Sequence, residues 1–165
     1  MKSFFKYWLP VLVWLALVFI GSTDLMSAER TSRIIAPLVR WFEPDVSAET
    51  IAQIQFILRK AAHVSEYAIL AMLLWRGLSH GTHWQVKRPI LFFVVWFACA
   101  LFAASDEFHQ SFVPSRTASA NDVMIDICGA LTGLAICLMF AARLPSSKTR
   151  GTCAPNLKSK IRNQK

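Results

Sequence analysis

Four long apolar runs constrain the fold of this chain more than any motif in it does. An α-helix needs roughly 20 mostly apolar residues to span a bilayer. The first run covers residues 4–21, with an unbroken centre at 8–20. The second covers 61–77, the third 89–104 and the fourth 123–142, the last interrupted only by Asp126. Charged residues make up 17% of the chain, where a soluble domain carries about a quarter. The runs are continuous rather than spaced for one buried helix face, so lipid is the expected solvent. The expected fold is all-α, a polytopic membrane helix bundle of about four transmembrane helices in one domain over 1–142.

Helix-end signals refine this outline. Ser47 suits an N-cap, with Glu49 in the first turn, and Ile51, Ile54, Ile57 and Leu58 extend the second apolar pattern backwards. The second helix is therefore expected over 48–78, protruding beyond the membrane at its N-terminal end. Pro89 suits the first turn of the third helix, and the fourth ends before Pro145. Lys2 and Lys6 ahead of the first run also fit a signal peptide, but the Gly-Ser-Thr-Asp that follows Ile20 is a poor cleavage site. The first run is read as an uncleaved helix. In the connector, Ile34, Ile35, Leu38, Val39, Trp41 and Phe42 recur at helical spacing among Arg30, Arg33 and Arg40. This is the pattern of an amphipathic segment lying in the interface, complicated by Pro37 and ended by Pro44.

The net charge of +8 does not point to nucleic acid. Seven of the 18 basic residues fall in 143–165, a polar, acid-free stretch expected to be a disordered cytoplasmic tail on anionic headgroups. With the N-terminus inside, the loops place twelve basic residues on the cytoplasmic side and six outside, which favours both termini in the cytoplasm. Cys99, Cys128 and Cys137 lie in apolar runs and Cys153 in the tail, with no CxxC, so neither a disulfide framework nor a thiolate metal site is expected.

The remaining signal is polar. An ionisable group inside a span costs at least ~2.5–3.5 kcal/mol, so it needs a partner or a purpose. Lys60, His63, Glu66 and Tyr67 fall near one face of the second helix. Asp106, His109 and Gln110 share a face at the end of the third, with Glu107 beside them. Arg116 and Ser119 follow in the loop, and Asp122 and Asp126 lie four apart on a stripe continued by Gly129 and Gly133. Alternating helix direction brings these segments to one depth near the outer leaflet, with Asp126 deepest, placed to pair with His63 or to hydrogen-bond across the bundle. Each group also has a plain reading: Lys60 snorkelling, Tyr67 as a core aromatic, Asp122 at a helix N-terminus.

The pattern Lys60-Ala-Ala-His63-Val-Ser-Glu66-Tyr67, then Asp106-Glu107-Phe-His109-Gln110-Ser-Phe112-Val-Pro114-Ser-Arg116, then Ser119 and Asp122, resembles the VanZ-like family. The resemblance covers roughly 22–133. It departs at Ser115, where the family often has glycine, and at Asp126, where it commonly has asparagine. The resemblance implies a protein of the bacterial inner membrane and cell envelope, and a link to low-level resistance to the glycopeptide teicoplanin. It does not fix a reaction.

Two readings of the cluster stay open. In one it is an outward-facing site that binds or modifies a lipid or a lipid-linked envelope precursor. Lys60 and Arg116 then contact an anionic head, Glu66 and His63 exchange a proton, and Asp106, His109 and Asp122 complete the pocket as acid/base partners or hard ligands for a divalent ion. In the other it is a structural lock in a non-enzymatic scaffold that works through another membrane protein. Transport is a third option, disfavoured by the few ionisable groups at the cytoplasmic helix ends. The sequence leaves the cofactor unknown. It has no HExxH-type metal spacing, no activated nucleophile and no glycine-rich phosphate loop.

Overall fold

The structure, a computed structural model, describes residues 2–23, 28–81, 86–113 and 119–143, without the side chains of 2–3 and 28–30. The expected tail beyond residue 143, with Cys153, and the loop residue Arg116 lie outside these described residues. The described residues form five α-helices and no strand: α1 (Lys2–Gly21), α2 (Ala28–Phe42), α3 (Ala48–His80), α4 (Arg88–Gln110) and α5 (Ala120–Arg143).

The helix ends follow local chemistry. Ser47 caps α3 by accepting a hydrogen bond from the Thr50 amide at 3.1 Å. At the other end the Gly81 amide bonds to the Gly77 carbonyl at 2.7 Å. α4 runs to Gln110, past the expected end at 104, because Ala103, Glu107 and Gln110 continue a buried stripe at helical spacing. The hydropathy falls there while the packed face does not. α5 begins at Ala120 rather than 123, since the Ser119 hydroxyl accepts from the Asn121 amide at 3.2 Å. The expected complication at Pro37 does not interrupt α2, which runs through that residue and stops before Pro44.

α3 is the hub and packs against each of the other four helices. It runs antiparallel to α1, with Trp14 at Glu66 and Val11 and Tyr7 at Gly77. It runs parallel to α5, where Gly129 and Gly133 sit on the backbone of Val64 and Ala68. The absence of a Cβ at both glycines permits this approach. Tyr67, Leu70, Ala71 and Leu74 of α3 form the core with Val11, with Leu91, Val95, Cys99 and Ala103 of α4, and with Ala130 and Leu134 of α5.

The outer surface carries many large apolar side chains. Phe5, Leu12, Leu17, Phe93, Phe97, Met124 and Phe140 are each at least half exposed, an arrangement that water would penalise. Among the described residues, three helices are long and apolar enough to cross a membrane: Phe4–Gly21, Arg88–Gln110 and Ala120–Arg143. That is one fewer than the apolar runs led us to expect. α3 is long enough, at 33 residues, but His63, Glu66 and Arg76 dilute its apolar stretch.

Candidate functional site

The expected polar residues divide among three places. The first is the seam between α3 and α5. Lys60 forms an ion pair with Asp122, and one helical turn on, His63 Nδ1 lies 3.0 Å from Asp126 Oδ1. Asp126 is 1% exposed and His63 is also buried, so each supplies the partner the other needs in a low-dielectric setting. Asp122, Asp126, Gly129 and Gly133 fall on one stripe of α5, with the polar pairs at one end and the glycines at the other. The glycines bring the helices close enough for the short Asp126 side chain to reach His63.

The second place is the end of α4, where neighbouring acids diverge. Asp106 turns to α1, accepting from the Ser22 hydroxyl and, at 2.9 Å, from Gln110 Nε2. Glu107 turns to the start of α5, where its Oε2 accepts from the Ser119 amide at 3.2 Å. Its Oε1 and His109 Nδ1 are buried with no hydrogen-bond partner among the described residues. The His109 ring packs on Phe19, with centroids 4.6 Å apart.

The third place is a partly open cavity of about 450 Å³ bordered by α1, α2, α3 and the end of α4. Its two main walls differ in chemistry. α1 supplies Trp14, Leu17, Val18 and Ile20, while α3 supplies Gln55, Arg59, His63 and Glu66 interleaved with Leu58 and Ala62. Gln110 and Thr31 add polar groups from α4 and α2. The Trp14 indole donates to the Glu66 carbonyl at 3.0 Å and ties the two walls together. With Nδ1 engaged by Asp126, the remaining ring nitrogen of His63 is the one left for a ligand. A smaller cavity of about 390 Å³ between α1 and α4 is bordered by Asp106 and His109.

This geometry corrects the expectation of one shared face. Glu66 faces α1 and the larger cavity, whereas Lys60 faces α5 and borders neither cavity. Tyr67 is 1% exposed in the hydrophobic core and also borders neither. Asp106, His109 and Asp122 do not form a ligand set, because Asp122 is turned to Lys60 and Asp106 to Ser22. Among the described residues, no three His, Cys, Asp or Glu side chains gather to hold a metal ion.

A model of the VanZ/LLP1 family matches residues 7–141. The chain belongs to the VanZ/LLP1 family. The match runs from within α1 to the last turns of α5, so it contains every contact described above. Comparisons with curated proteins and with solved structures found no match.

Several residues of this VanZ/LLP1 site were not singled out in the sequence. Ser22 had been read only as part of a poor cleavage site, yet it is 4% exposed and holds Asp106. Arg59 counted only as a loop charge, and Trp14 only as part of an apolar run. The available signal for Arg59 is its spacing from Gln55 and Glu66, four residues after the one and seven before the other, which defines a second polar face on α3.

Proposed function

We propose that this VanZ/LLP1 protein crosses the bacterial inner membrane four times and binds a lipid or lipid-linked envelope precursor in the cavity between α1 and α3. Both termini are cytoplasmic and the polar end of the bundle faces outward. Helix direction supports four passes. α3 is antiparallel to α1 and parallel to α5, and it buries Leu70, Ala71 and Leu74 among the three apolar helices. A helix packed along three spans must share their depth. α2 then lies at the outer interface, with Ile34, Leu38, Trp41 and Phe42 exposed towards lipid and Arg33 and Arg40 at the headgroups.

The two-sided cavity carries this reading. An apolar wall facing a polar wall suits a molecule that is itself part chain and part polar head, and about 450 Å³ falls within the ~300–1,000 Å³ of ligand sites. His63 and Glu66 are the acid/base candidates at its polar wall, with Asp126 orienting the imidazole. In cells lacking the native gene, Glu66→Gln and the double variant His63→Gln/Asp126→Asn, which leaves no charge unpaired in the seam, should insert and accumulate normally yet fail to restore the envelope phenotype, including any change in teicoplanin susceptibility. Full restoration by both variants would sink the reading.

One observation favours a second reading. The Lys60–Asp122 and His63–Asp126 pairs lie in the glycine-lined seam, where a structural lock belongs. In that scaffold reading, charge-neutral replacement of these pairs lowers thermal stability, and crosslinking recovers one specific membrane partner.

A further inference from the structure

The polar wall of the larger cavity carries information about the charge of its occupant. This inference rests on the reading of that cavity as a lipid site. Three residues that can carry positive charge, Arg59, Lys60 and His63, lie within about one turn of α3, while the acid on the same cavity wall, Glu66, lies seven residues beyond Arg59, about 10 Å along the helix. Two are committed to α5: Lys60 to Asp122, and His63 to Asp126. Arg59 is one residue before Lys60 and therefore about 100° round the helix, on the cavity side. It is exposed there, and no ion pair among the described residues engages it.

A guanidinium keeps its charge at any working pH and presents a planar fork of donors that matches phosphate oxygens. Gln55, one turn earlier on the same face, donates one amide hydrogen to the Ser32 hydroxyl of α2 at 3.1 Å and has its second hydrogen for the same anion. Across the cavity, Trp14, Leu17, Val18 and Ile20 offer nothing polar except the Trp14 indole, which is already used on the Glu66 carbonyl. From Trp14 to Gly21 this apolar wall is about 10 Å long at helical rise. The volume of about 450 Å³ is the scale of a drug-sized ligand rather than of a whole two-chain phospholipid.

We propose that the cavity between α1 and α3 binds a single-chain anionic amphiphile, its phosphate-type head on Arg59 and Gln55 and its chain along Trp14, Leu17 and Val18. Lys60, expected from the sequence to contact the head, instead holds α5 in register.

The test uses the full chain purified in digitonin, which has no flexible alkyl chain, and calorimetric titration with three probes: dodecyl phosphate, dodecyl maltoside and inorganic phosphate. Wild type should bind dodecyl phosphate at least tenfold tighter than either of the others. Arg59→Gln should lose that preference over dodecyl maltoside, and Arg59→Lys should retain part of it. Arg59 is exposed, so folding is expected to survive both replacements and is checked by melting temperature without probe. Leu17→Trp, which fills the apolar wall, should weaken both chain-bearing probes. Arg59→Gln binding dodecyl phosphate as wild type does, with Leu17→Trp still weakened, overturns the anion assignment and leaves the lipid cavity standing. Leu17→Trp binding both chain-bearing probes normally overturns the cavity reading itself. Inorganic phosphate binding as tightly as dodecyl phosphate overturns the amphiphile in favour of a free anion.

Discussion

Gly129 lies where α5 touches the backbone of α3, and its replacement by alanine measures how closely the two helices run. A Cβ there would stand 2.5 Å from the Val64 carbonyl oxygen and 2.9 Å from the Val64 Cα. Carbon and carbonyl oxygen ordinarily meet no closer than about 3.3 Å, so the helices must separate by about 1 Å locally. The obstacle is backbone on both sides, and no flexible side chain can swing away. Overpacking of this kind costs roughly 1–3 kcal/mol. Alanine also favours the helix over glycine by about 0.5–1 kcal/mol, which offsets part of the clash without cancelling it. The net destabilisation should be about 1–2 kcal/mol, or a few degrees in melting temperature at roughly 2–4 °C per kcal/mol for a chain of this size. Gly21→Ala is the matched control, since nothing lies within 4 Å of a Cβ at that position. The assay is thermal unfolding of both variants in the same detergent. A Gly129→Ala protein as stable as the Gly21→Ala control would refute the close parallel seam, and with it the pairing of His63 and Asp126.

Other perturbations probe neighbouring links. A double-mutant cycle on His63→Gln and Asp126→Asn should give a coupling of roughly 0.5–3 kcal/mol in unfolding, because the two groups are buried and 3.0 Å apart; strict additivity would mean they do not interact. Ser22→Ala should cost about 1 kcal/mol by removing the hydrogen bond that holds α1 to Asp106 of α4, read as a lower melting temperature. Trp14→Phe keeps the apolar wall but removes the indole bond to the Glu66 carbonyl, and should cost about 1 kcal/mol while leaving dodecyl maltoside binding in place.

Much of the scaffold is legible in the sequence because a membrane-type helix announces itself by composition. The long α3 was also readable, since Ser47 and the isoleucines before residue 61 mark a start well ahead of the apolar run. Hydropathy misjudged the end of α4 because Asp106, Glu107 and Gln110 are polar residues that find partners in packed positions. The site was legible as a set of residues and not as an arrangement. Six residues separate Lys60 from Glu66, a rotation that leaves them about 120° apart, so one reaches α5 while the other faces α1. Periodicity gives the face of a helix but not the neighbour that face meets. Ser22 escaped notice for that reason: its partner Asp106 is 84 residues away, and no local pattern connects them.

The claim on which the account depends most is that the space between α1 and α3 is a lipid site. An electron cryomicroscopy structure of the full chain extracted with native lipid retained tests it directly. Elongated density is expected along Trp14, Leu17 and Val18, ending in a polar head beside Arg59 and Gln55. A cavity collapsed by closure of α1 onto α3, with Arg59 turned to bulk water and no density between the walls, would contradict it.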